Sequence, residues 1–227
     1  MMTEVKKAEI NMNNINNSAE GALQRSFVSR KTAELSRDNS EAKSHAANSA
    51  LIDLSVVTRI GFRGANAQSH LDNANLPIPS KPNMMKQNDD KSLMTLRLSD
   101  NEFWLLDSST TMAEQLNEVT ALPVPDNCYH LYCQNSHAWF MLTGKYIEQT
   151  MAKICGVDLR IAAFPLEAIV QTSLARVNAV IVRHEVNNIP VFSVLSDSTS
   201  AEYLWDALLD AMAEFNGKAV TIDALAP

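Results

Sequence analysis

The pattern of apolar and polar positions divides the chain into a polar beginning and an alternating body. Residues 1–50 are rich in Asn, Ser and Ala with interleaved charges, and Phe27 is their single aromatic residue. Such a segment buries too little apolar surface to offset the entropy lost on ordering. We therefore predict a tail over residues 1–50, disordered or ordered by a partner, with weak helix around residues 33–47. The body is expected over residues 51–222.

The first half of the body, residues 54–134, has the pattern of a β-α-β-β-α-β unit. Alternating or short apolar runs predict strands over residues 54–63, 93–98, 103–106 and 127–134. A short helix is predicted over residues 65–74, and a second helix begins at the capping box Thr111-Met-Ala-Glu114. The proline-containing stretch 76–90 is long for a loop inside a domain, so we predict that it contacts a partner.

The second half, residues 136–222, repeats this order. A strand over residues 139–142 ends at Gly144, which lies 80 residues after the strand-ending Gly64. A helix over residues 146–155 follows, and then a hairpin of residues 173–184 with 190–195. A second capping box, Thr199-Ser-Ala-Glu202, opens a helix that ends at Gly217, and a last strand is expected at 220–222. The predicted fold class is α+β, with two ferredoxin-like β-α-β-β-α-β halves.

Charge and hydropathy narrow the classes of partner. The formal net charge is −7, so no basic field attracts nucleic acid or anionic lipid, and we expect neither as a partner. No apolar run approaches the roughly 20 residues that span a bilayer, and the first residues lack the apolar core of a secretory signal. These features predict a soluble, cytoplasmic protein.

The glycines and cysteines give no sign of a cofactor or metal site. Of six glycines, only Gly61 and Gly64 are close in sequence, and they fall on a predicted strand and its end, so neither a Rossmann nor a Walker loop is present. Three cysteines are too few and too irregular for a disulfide framework. Cys128 and Cys133 lie five positions apart on one predicted strand, where they would point to opposite faces and could not bind one ion. With Cys155, they are expected to be buried or half-buried apolar residues.

Other candidate groups are each better explained by structure than by chemistry. His130 and His137 are the histidines most expected to be ordered, and a structural role is preferred for both. His184 closes a strand at a hairpin and has the same interpretation. Asp158 follows Gly156 and is interpreted as a turn-forming aspartate. We expect no catalytic, cofactor-binding or metal-binding residue in this chain.

The three tryptophans sit in predicted apolar strands or helix faces, where core or interface packing is expected. They are Trp104, Trp139 and Trp205.

A resemblance to a known family rests on a series of short motifs in order. In the first half these are Thr58-Arg59-Ile60-Gly61-Phe62-Arg63-Gly64-Ala65, Leu76-Pro77 with Pro79 and Asn83, and Leu96-Arg97-Leu98 before Glu102-Phe103-Trp104-Leu105-Leu106. In the second half they are Cys155-Gly156-Val157-Asp158-Leu159, Phe164-Pro165, Gln171-Thr172-Ser173-Leu174-Ala175-Arg176-Val177, and residues 201–215 with Leu204-Trp205. Together they resemble the gamma subunit of heterotetrameric sarcosine oxidase over residues 54–217.

The resemblance implies a fold like the folate-binding domain of the glycine-cleavage aminomethyltransferase. It also implies a complex that demethylates sarcosine oxidatively to glycine, with alpha, beta and delta subunits as partners. FAD, FMN, NAD, zinc and tetrahydrofolate would belong to those partners, and this chain would support their assembly without a cofactor of its own. Two alternatives stay open: a subunit of a sibling complex such as N-methylglutamate dehydrogenase, or a stand-alone folate-binding protein for methyl transfer or repair.

Overall fold

The computed structural model describes residues 25–33, 35, 39–108 and 114–226. Its strands are β1 (Ala50–Asp53), β2 (Arg59–Arg63), β3 (Met84–Gln87), β4 (Leu93–Ser99), β5 (Glu102–Asp107), β6 (Tyr129–Leu131), β7 (His137–Thr143), β8 (Ile169–Leu174), β9 (Val177–Val186), β10 (Ile189–Asp197) and β11 (Lys218–Val220). Its helices are α1 (Ser29–Thr32), α2 (Asn39–Asn48), α3 (Ala67–Asn73), α4 (Glu114–Ala121), α5 (Cys133–Ser136), α6 (Ile147–Ile154) and α7 (Ala201–Met212). Three 3₁₀ turns cover Ser198–Ser200, Ala213–Phe215 and Ile222–Leu225.

The strands form two sheets. A six-stranded sheet has the order β11-β1-β7-β10-β9-β8, and a five-stranded sheet has the order β3-β4-β5-β2-β6. The first sheet comes from the second half of the body together with β1, which lies between β7 and β11. β1 runs antiparallel to β7 and parallel to β11, with Ile52 opposite Met141 and Val220.

Alternation along the strands places apolar side chains on both faces of each sheet. On β5, Trp104 and Leu106 belong to a central core that also contains Trp139 and Met141 of β7. The residues of β5 that alternate with these two point to the opposite face of the sheet. On that face, Phe103 packs beneath α3 and α4 in a second core. Phe140 and its neighbours pack beneath α6 and α7 in a third core. The layers therefore run helix, sheet, sheet, helix, and the fold class is α+β.

The predicted division at residue 50 differs from the structure. Ala50 is the first residue of β1 and is fully buried, because β1 is paired on both sides within the six-stranded sheet. In the segment before Ala50, α2 places Ala42 and Ala46 in the central core, and Val28 is buried in the third core beneath α7. Residues 39–50 thus pack as part of the body. Residues 1–24 lie outside the part of the chain that the structure describes.

Several predicted strands have other boundaries. The predicted strand 54–63 is only β2, because the chain leaves one sheet after Asp53 and enters the other at Arg59. The predicted strand 127–134 is divided into β6 and α5, and the last strand is β11 rather than residues 220–222. The predicted loop 76–90 contains the edge strand β3, which pairs with β4. The hairpin predicted from residues 93–98 and 103–106 is confirmed as β4 and β5.

The segment predicted as one strand over residues 173–184 contains a tight turn. β8 ends at Leu174 and pairs with β9, which begins at Val177. Ala175 and Arg176 form the turn with φ of 47° and 70°. Such left-handed conformations normally attract Gly or Asn, so the sequence carries no turn signal here.

The helix ends also differ from the predicted caps. Thr111 of the first capping box lies outside the described residues. The second box does not form, because the Asp197 carboxylate accepts the Thr199 amide at 2.8 Å in the place of Glu202. The left-handed residue that ends the last helical turn is Asn216, with φ of 54°, rather than Gly217.

The two strand-ending glycines occupy matching junctions. Gly64 lies between β2 and α3 with φ of 138°, and Gly144 lies between β7 and α6 with φ of 110°. A Cβ at Gly64 would lie 2.1 Å from the Asn127 carbonyl oxygen, and one at Gly144 would lie 2.5 Å from that of Asn48. Both positions therefore require glycine.

Candidate functional site

A cavity of about 450 Å³ lies between the two sheets. Its apolar floor is formed by Met94 of β4 and by Trp139 and Met141 of β7, all members of the central core. The end of β9 and the 3₁₀ turn at Ile222–Leu225 form its walls. A cavity of this size lies within the range of small-molecule sites in proteins, although its lining is as polar as it is apolar.

A short chain of hydrogen bonds runs behind the cavity floor. The Trp139 indole Nε1 donates to Ser193 Oγ at 2.9 Å, and Ser193 Oγ lies 2.8 Å from His184 Nε2. The indole can only donate, so Ser193 Oγ accepts from Trp139 and keeps both its hydroxyl proton and a second lone pair for the contact with His184. The direction of the hydrogen bond between Ser193 and His184 therefore depends on which ring nitrogen of His184 carries the proton.

His184 lines the cavity and is the most perturbed histidine of the described chain. Burial lowers the pKa of its imidazole to about 4 from the ordinary 6.5, and the main chain of Glu185 partly opposes this shift. The ring is therefore neutral at pH 7. No hydrogen bond of acceptable geometry joins Nδ1 to any described residue. Nδ1 is itself buried, so it is not open to a ligand atom in the cavity.

The rim of the cavity is acidic. Asp90, Glu185 and Asp223 contribute three carboxylates against the single ammonium of Lys91. Hydrogen bonds from Ser92, whose amide lies 2.8 Å from Asp90 Oδ1, hold the pKa of Asp90 below its ordinary value. The rim is therefore negatively charged at neutral pH and favours cations and hydrogen-bond donors.

The cysteines lie away from this cavity. Cys128 packs in the second core with Phe62. Cys133 begins α5 and packs in the central core, so the prediction that both cysteines lie on one strand was wrong. Burial raises the pKa of Cys133 to about 12 and also raises that of Cys128, so both stay protonated thiols. Cys155 is likewise buried and free. No group of three or more His, Cys, Asp or Glu among the described residues is arranged to hold a metal ion.

The two histidines singled out from the sequence pack against aromatic rings outside the cavity. The His130 ring centroid lies 4.9 Å from that of Phe62, and the His137 ring lies 4.6 Å from Trp104. Burial lowers the pKa of His137. His184, by contrast, was interpreted from the sequence only as a structural residue that closes a strand. Its contact with Ser193 follows from the pairing of β9 with β10, which no local pattern reveals.

Asp158 forms an ion pair with Arg160, and the tryptophans pack in the protein cores. The Asp158 carboxylate is bound by Arg160, with Oδ1 2.9 Å from Nε, and these hydrogen bonds lower the pKa of Asp158 to about 2. Trp104 packs in the central core, and Trp205, a residue of α7, packs in the third core. Of the three tryptophans, only Trp139 lines the cavity.

Comparison with known proteins identifies the fold. No protein-family model matches the sequence, and no curated protein matches it significantly. A chain of heterotetrameric sarcosine oxidase from Corynebacterium sp. U-96, in complex with pyrrole 2-carboxylate, superposes with a TM-score of 0.68 and 19% identity. That match covers 86% of this chain and 97% of the other.

A second similar structure is the glycine cleavage system aminomethyltransferase T from Bartonella henselae, with a TM-score of 0.57 and 17% identity. The match covers 82% of this chain and 51% of the aminomethyltransferase, so this chain spans about half the length of that protein. Both comparisons show a shared fold. Separately, none of the described helices is long and apolar enough to cross a membrane.

Proposed function

We propose that this chain is a non-catalytic, gamma-type subunit of a heterotetrameric complex that demethylates sarcosine oxidatively to glycine. One observation carries the proposal: the match extends over 97% of a chain that works within heterotetrameric sarcosine oxidase. The ordered motifs of the sequence resemblance support it independently. In this proposal, the chain supports the assembly of the flavin-bearing subunits, and its partners in the cytoplasm are the alpha, beta and delta subunits. FAD, FMN, NAD, zinc and tetrahydrofolate would be bound by those partners.

An exposed aromatic edge supports a role in assembly. β6 is an edge strand of the five-stranded sheet. Tyr129, its first residue, is 63% exposed, and Tyr132, which follows it, is 74% exposed. Leu122, which follows α4, is 41% exposed. Large exposed apolar groups beside an open strand edge are typical of contact surfaces between proteins. We propose that β6 contacts a partner subunit, in addition to residues 76–90 and the N-terminal segment that the sequence indicated.

The experiment is purification of the tagged chain from its native cells, followed by mass spectrometry and absorbance spectroscopy of the co-purifying proteins. We expect large flavin-bearing partners and oxidation of sarcosine by the purified complex. A solitary, colourless chain would contradict the proposal. Flavin binding or sarcosine oxidation by the isolated chain would contradict its non-catalytic role.

The β6 surface has a separate test with a matched control. Tyr129→Ser combined with Tyr132→Ser should reduce recovery of the partners, because both exposed rings are lost from the proposed interface. Tyr203→Ser removes a ring that is 52% exposed on α7, which packs on the outer face of the other sheet, and should leave recovery unchanged. If the wild type, the double variant and Tyr203→Ser all recovered the partners equally, β6 would be excluded as the contact surface. The subunit assignment would be unaffected.

The co-purified complex also distinguishes the sibling alternative. If it oxidises another N-methyl amino acid in preference to sarcosine, the chain belongs to a sibling complex such as N-methylglutamate dehydrogenase. The substrate would be bound by a partner, so both outcomes are compatible with the structure of this chain.

The inter-sheet cavity favours a second candidate, a stand-alone folate-binding protein for methyl transfer or repair. The apolar floor at Trp139 suits a flat ring, but the acidic rim opposes the two carboxylates of a folate tail. The lining therefore fits only part of this cofactor, and no reaction step is assigned to it. Titration of the purified chain with tetrahydrofolate under anaerobic conditions decides the question, and saturable binding would revive this candidate.

We also propose that the two sheets are two copies of one ferredoxin-like β-α-β-β-α-β unit. The strand order β4-β5-β2-β6 corresponds to β9-β10-β7-β11. Helices follow β2 and β5 in the first set and β7 and β10 in the second. Three additions depart from the simple unit: the edge strands β3 and β8, and β1 between β7 and β11. The matching glycine junctions at Gly64 and Gly144 support this interpretation.

A further inference from the structure

The turn after α7 contains a pair of residues that is prone to spontaneous chemical modification. Asn216 and Gly217 connect the 3₁₀ turn Ala213–Phe215 to β11, and they are the only Asn-Gly pair in the sequence. In such a pair, the glycine main-chain nitrogen can attack the asparagine side-chain carbonyl, because glycine has no Cβ to hinder the approach. Asn216 is exposed to water, which the reaction also requires.

The fold itself requires both residue types at this turn. Asn216 has φ of 54° and ψ of 32°, a left-handed conformation that asparagine and glycine tolerate best. A Cβ at Gly217 would lie 2.4 Å from the Cβ of Met212 and 3.0 Å from its carbonyl oxygen. The reactive pair is therefore built into the way α7 ends.

The folded conformation prevents the reaction. Ring closure requires the Gly217 nitrogen to lie on the same side of the Asn216 Cα–C bond as Cβ, and the ψ of 32° holds it on the other side. The same nitrogen donates its proton to the Met212 carbonyl oxygen at 3.0 Å. Both restraints disappear when the turn opens, so the reaction depends on a local opening.

The segment after α7, residues 213–226, has limited attachment to the body. β11 has three residues and is an edge strand that pairs with β1 alone. The 3₁₀ turn after it places Ile222 and Leu225 in the central core. A short edge strand and one turn can open at a lower free energy than the whole sheet.

We propose that Asn216 is a deamidation site controlled by local opening of residues 213–226, and that its modification detaches this segment irreversibly. In the opened segment, hydroxide removes the Gly217 amide proton, and the nitrogen forms a bond to Asn216 Cγ. The Cγ–Nδ2 bond breaks, and Nδ2 takes a proton from water and leaves as ammonia. Water then opens the cyclic imide at either carbonyl, which gives aspartate or isoaspartate without any change of oxidation state.

The isoaspartate product explains the detachment. Its main chain runs through the former side chain and is one carbon longer between Phe215 and Gly217. The Gly217 amide bonds to Met212, and the Lys218 amide bonds to the Ser49 carbonyl oxygen at 3.2 Å. A lengthened chain cannot keep both bonds, so β11 loses its register with β1.

Incubation of the full-length chain in mildly alkaline buffer, followed by peptide mapping with mass spectrometry, tests the site. We expect Asn216 to convert to aspartate and isoaspartate in urea, and at least about tenfold more slowly in the folded protein. An unmodified Asn216 in urea would overturn the site. Equal rates in urea and in the folded protein would overturn its control by opening.

A core variant inside the segment tests which opening matters. Leu225→Ala weakens the attachment of residues 213–226, so deamidation of the folded variant should be at least about tenfold faster than in the wild type. Leu96→Ala is the matched control, because Leu96 is also fully buried in the central core but lies on β4. Equal acceleration by both variants would show that global unfolding exposes the site.

Detachment has its own measurement. Asn216→Gly keeps the left-handed turn but has no side-chain amide, so it should fold normally and stay unmodified. Hydrogen exchange should show loss of protection at the Lys218 amide in aged wild type and retained protection in aged Asn216→Gly. Retained protection in fully deamidated wild type would contradict the detachment.

Discussion

Arg59 is a buried charge held by main-chain carbonyl groups. Its guanidinium donates to the carbonyls of Val57 at 2.9 Å, Ser55 at 3.1 Å and Gln134 at 3.2 Å, and also to that of His137. Burial lowers the pKa of Arg59 to about 10, which leaves it charged at neutral pH. These bonds join the segment before β2 to the segment before β7, and so connect the two sheets.

Replacement of Arg59 should therefore be costly. Arg59→Met leaves several buried carbonyls without donors, and we expect the free energy of unfolding to fall by about 2–4 kcal/mol. Urea denaturation followed by circular dichroism measures this change. Arg160→Met is the matched control, because Arg160 is an exposed partner of Asp158. A loss at Arg59 no larger than that at Arg160 would contradict this assignment.

His184 predicts a specific dependence of stability on pH. Its pKa of about 4 in the folded state lies below the ordinary 6.5, so the folded protein binds fewer protons than the unfolded chain between these values. The contribution of His184 to stability is fully present above pH 6.5. It falls by about 1.4 kcal/mol per pH unit as the pH drops from 6.5 toward 4.

The His184→Gln variant tests this slope. Glutamine retains hydrogen-bonding capacity but does not titrate, so the difference in unfolding free energy between wild type and variant should change across pH 6.5 to 4. Burial also lowers the pKa values of His70 and His137, but both residues are present in both proteins and cancel in the difference. His45→Gln, on α2, serves as the control. Parallel pH profiles for wild type and His184→Gln would contradict the neutral, buried state of this ring.

At the scale of elements, the 3₁₀ turn Ser198–Ser200 that leads into α7 has a cap that differs from the one expected from the sequence. Asp197 accepts hydrogen bonds from the Thr199 amide at 2.8 Å and its hydroxyl at 2.6 Å, and these bonds lower the pKa of Asp197. The Thr199 amide is therefore already satisfied, and Glu202 has no capping role.

Asp197→Ala should accordingly reduce the free energy of unfolding by about 1 kcal/mol, the usual effect of losing an N-terminal cap. Glu202→Ala should change it by less than about 0.5 kcal/mol, as for an ordinary exposed position. Thermal melts of the two variants compare them directly. A larger loss of stability for Glu202→Ala than for Asp197→Ala would instead support the predicted capping box.

At the scale of the whole molecule, the two sheets share one central core. Leu96 of β4 and Leu195 of β10 are both fully buried in it, although they belong to different sheets. If either sheet unfolded, the apolar inner face of the other sheet would be exposed to water. We therefore expect a single cooperative unfolding transition.

Leu96→Ala and Leu195→Ala should each shift that whole transition, with losses of about 2–5 kcal/mol. Tryptophan fluorescence and far-ultraviolet circular dichroism should give coincident curves for both variants. Leu122→Ala, at a position 41% exposed, is the control and should have little effect. Two separate transitions would show that the sheets unfold as independent units.

Local signals in the sequence were accurate where neighbouring residues decide the structure. The hairpin of β4 and β5 was found because apolar alternation flanks Asp100 and Asn101, which are typical turn residues. The glycine junctions were found because only glycine tolerates those contacts. The turn at Ala175 and Arg176 was missed because neither residue normally adopts a left-handed conformation.

The candidate site could not be found in this way. His184, Ser193 and Trp139 lie on three different strands, and only the register of β9, β10 and β7 brings their polar atoms together. The acidic rim likewise combines Asp90, Glu185 and Asp223 from segments far apart in sequence. Spacing along the chain gives no measure of such distances.

The sequence by itself determined the α+β class, the helix and strand periodicities, the acidic charge and the family resemblance, because each depends on composition or on residues close along the chain. Only the tertiary structure decided the place of β1, whose four residues gain stability from pairing with β7 and β11 on both sides. It also decided the cavity and the state of His184. Burial and hydrogen-bond partners are set by residues that meet only after the two sheets have packed face to face.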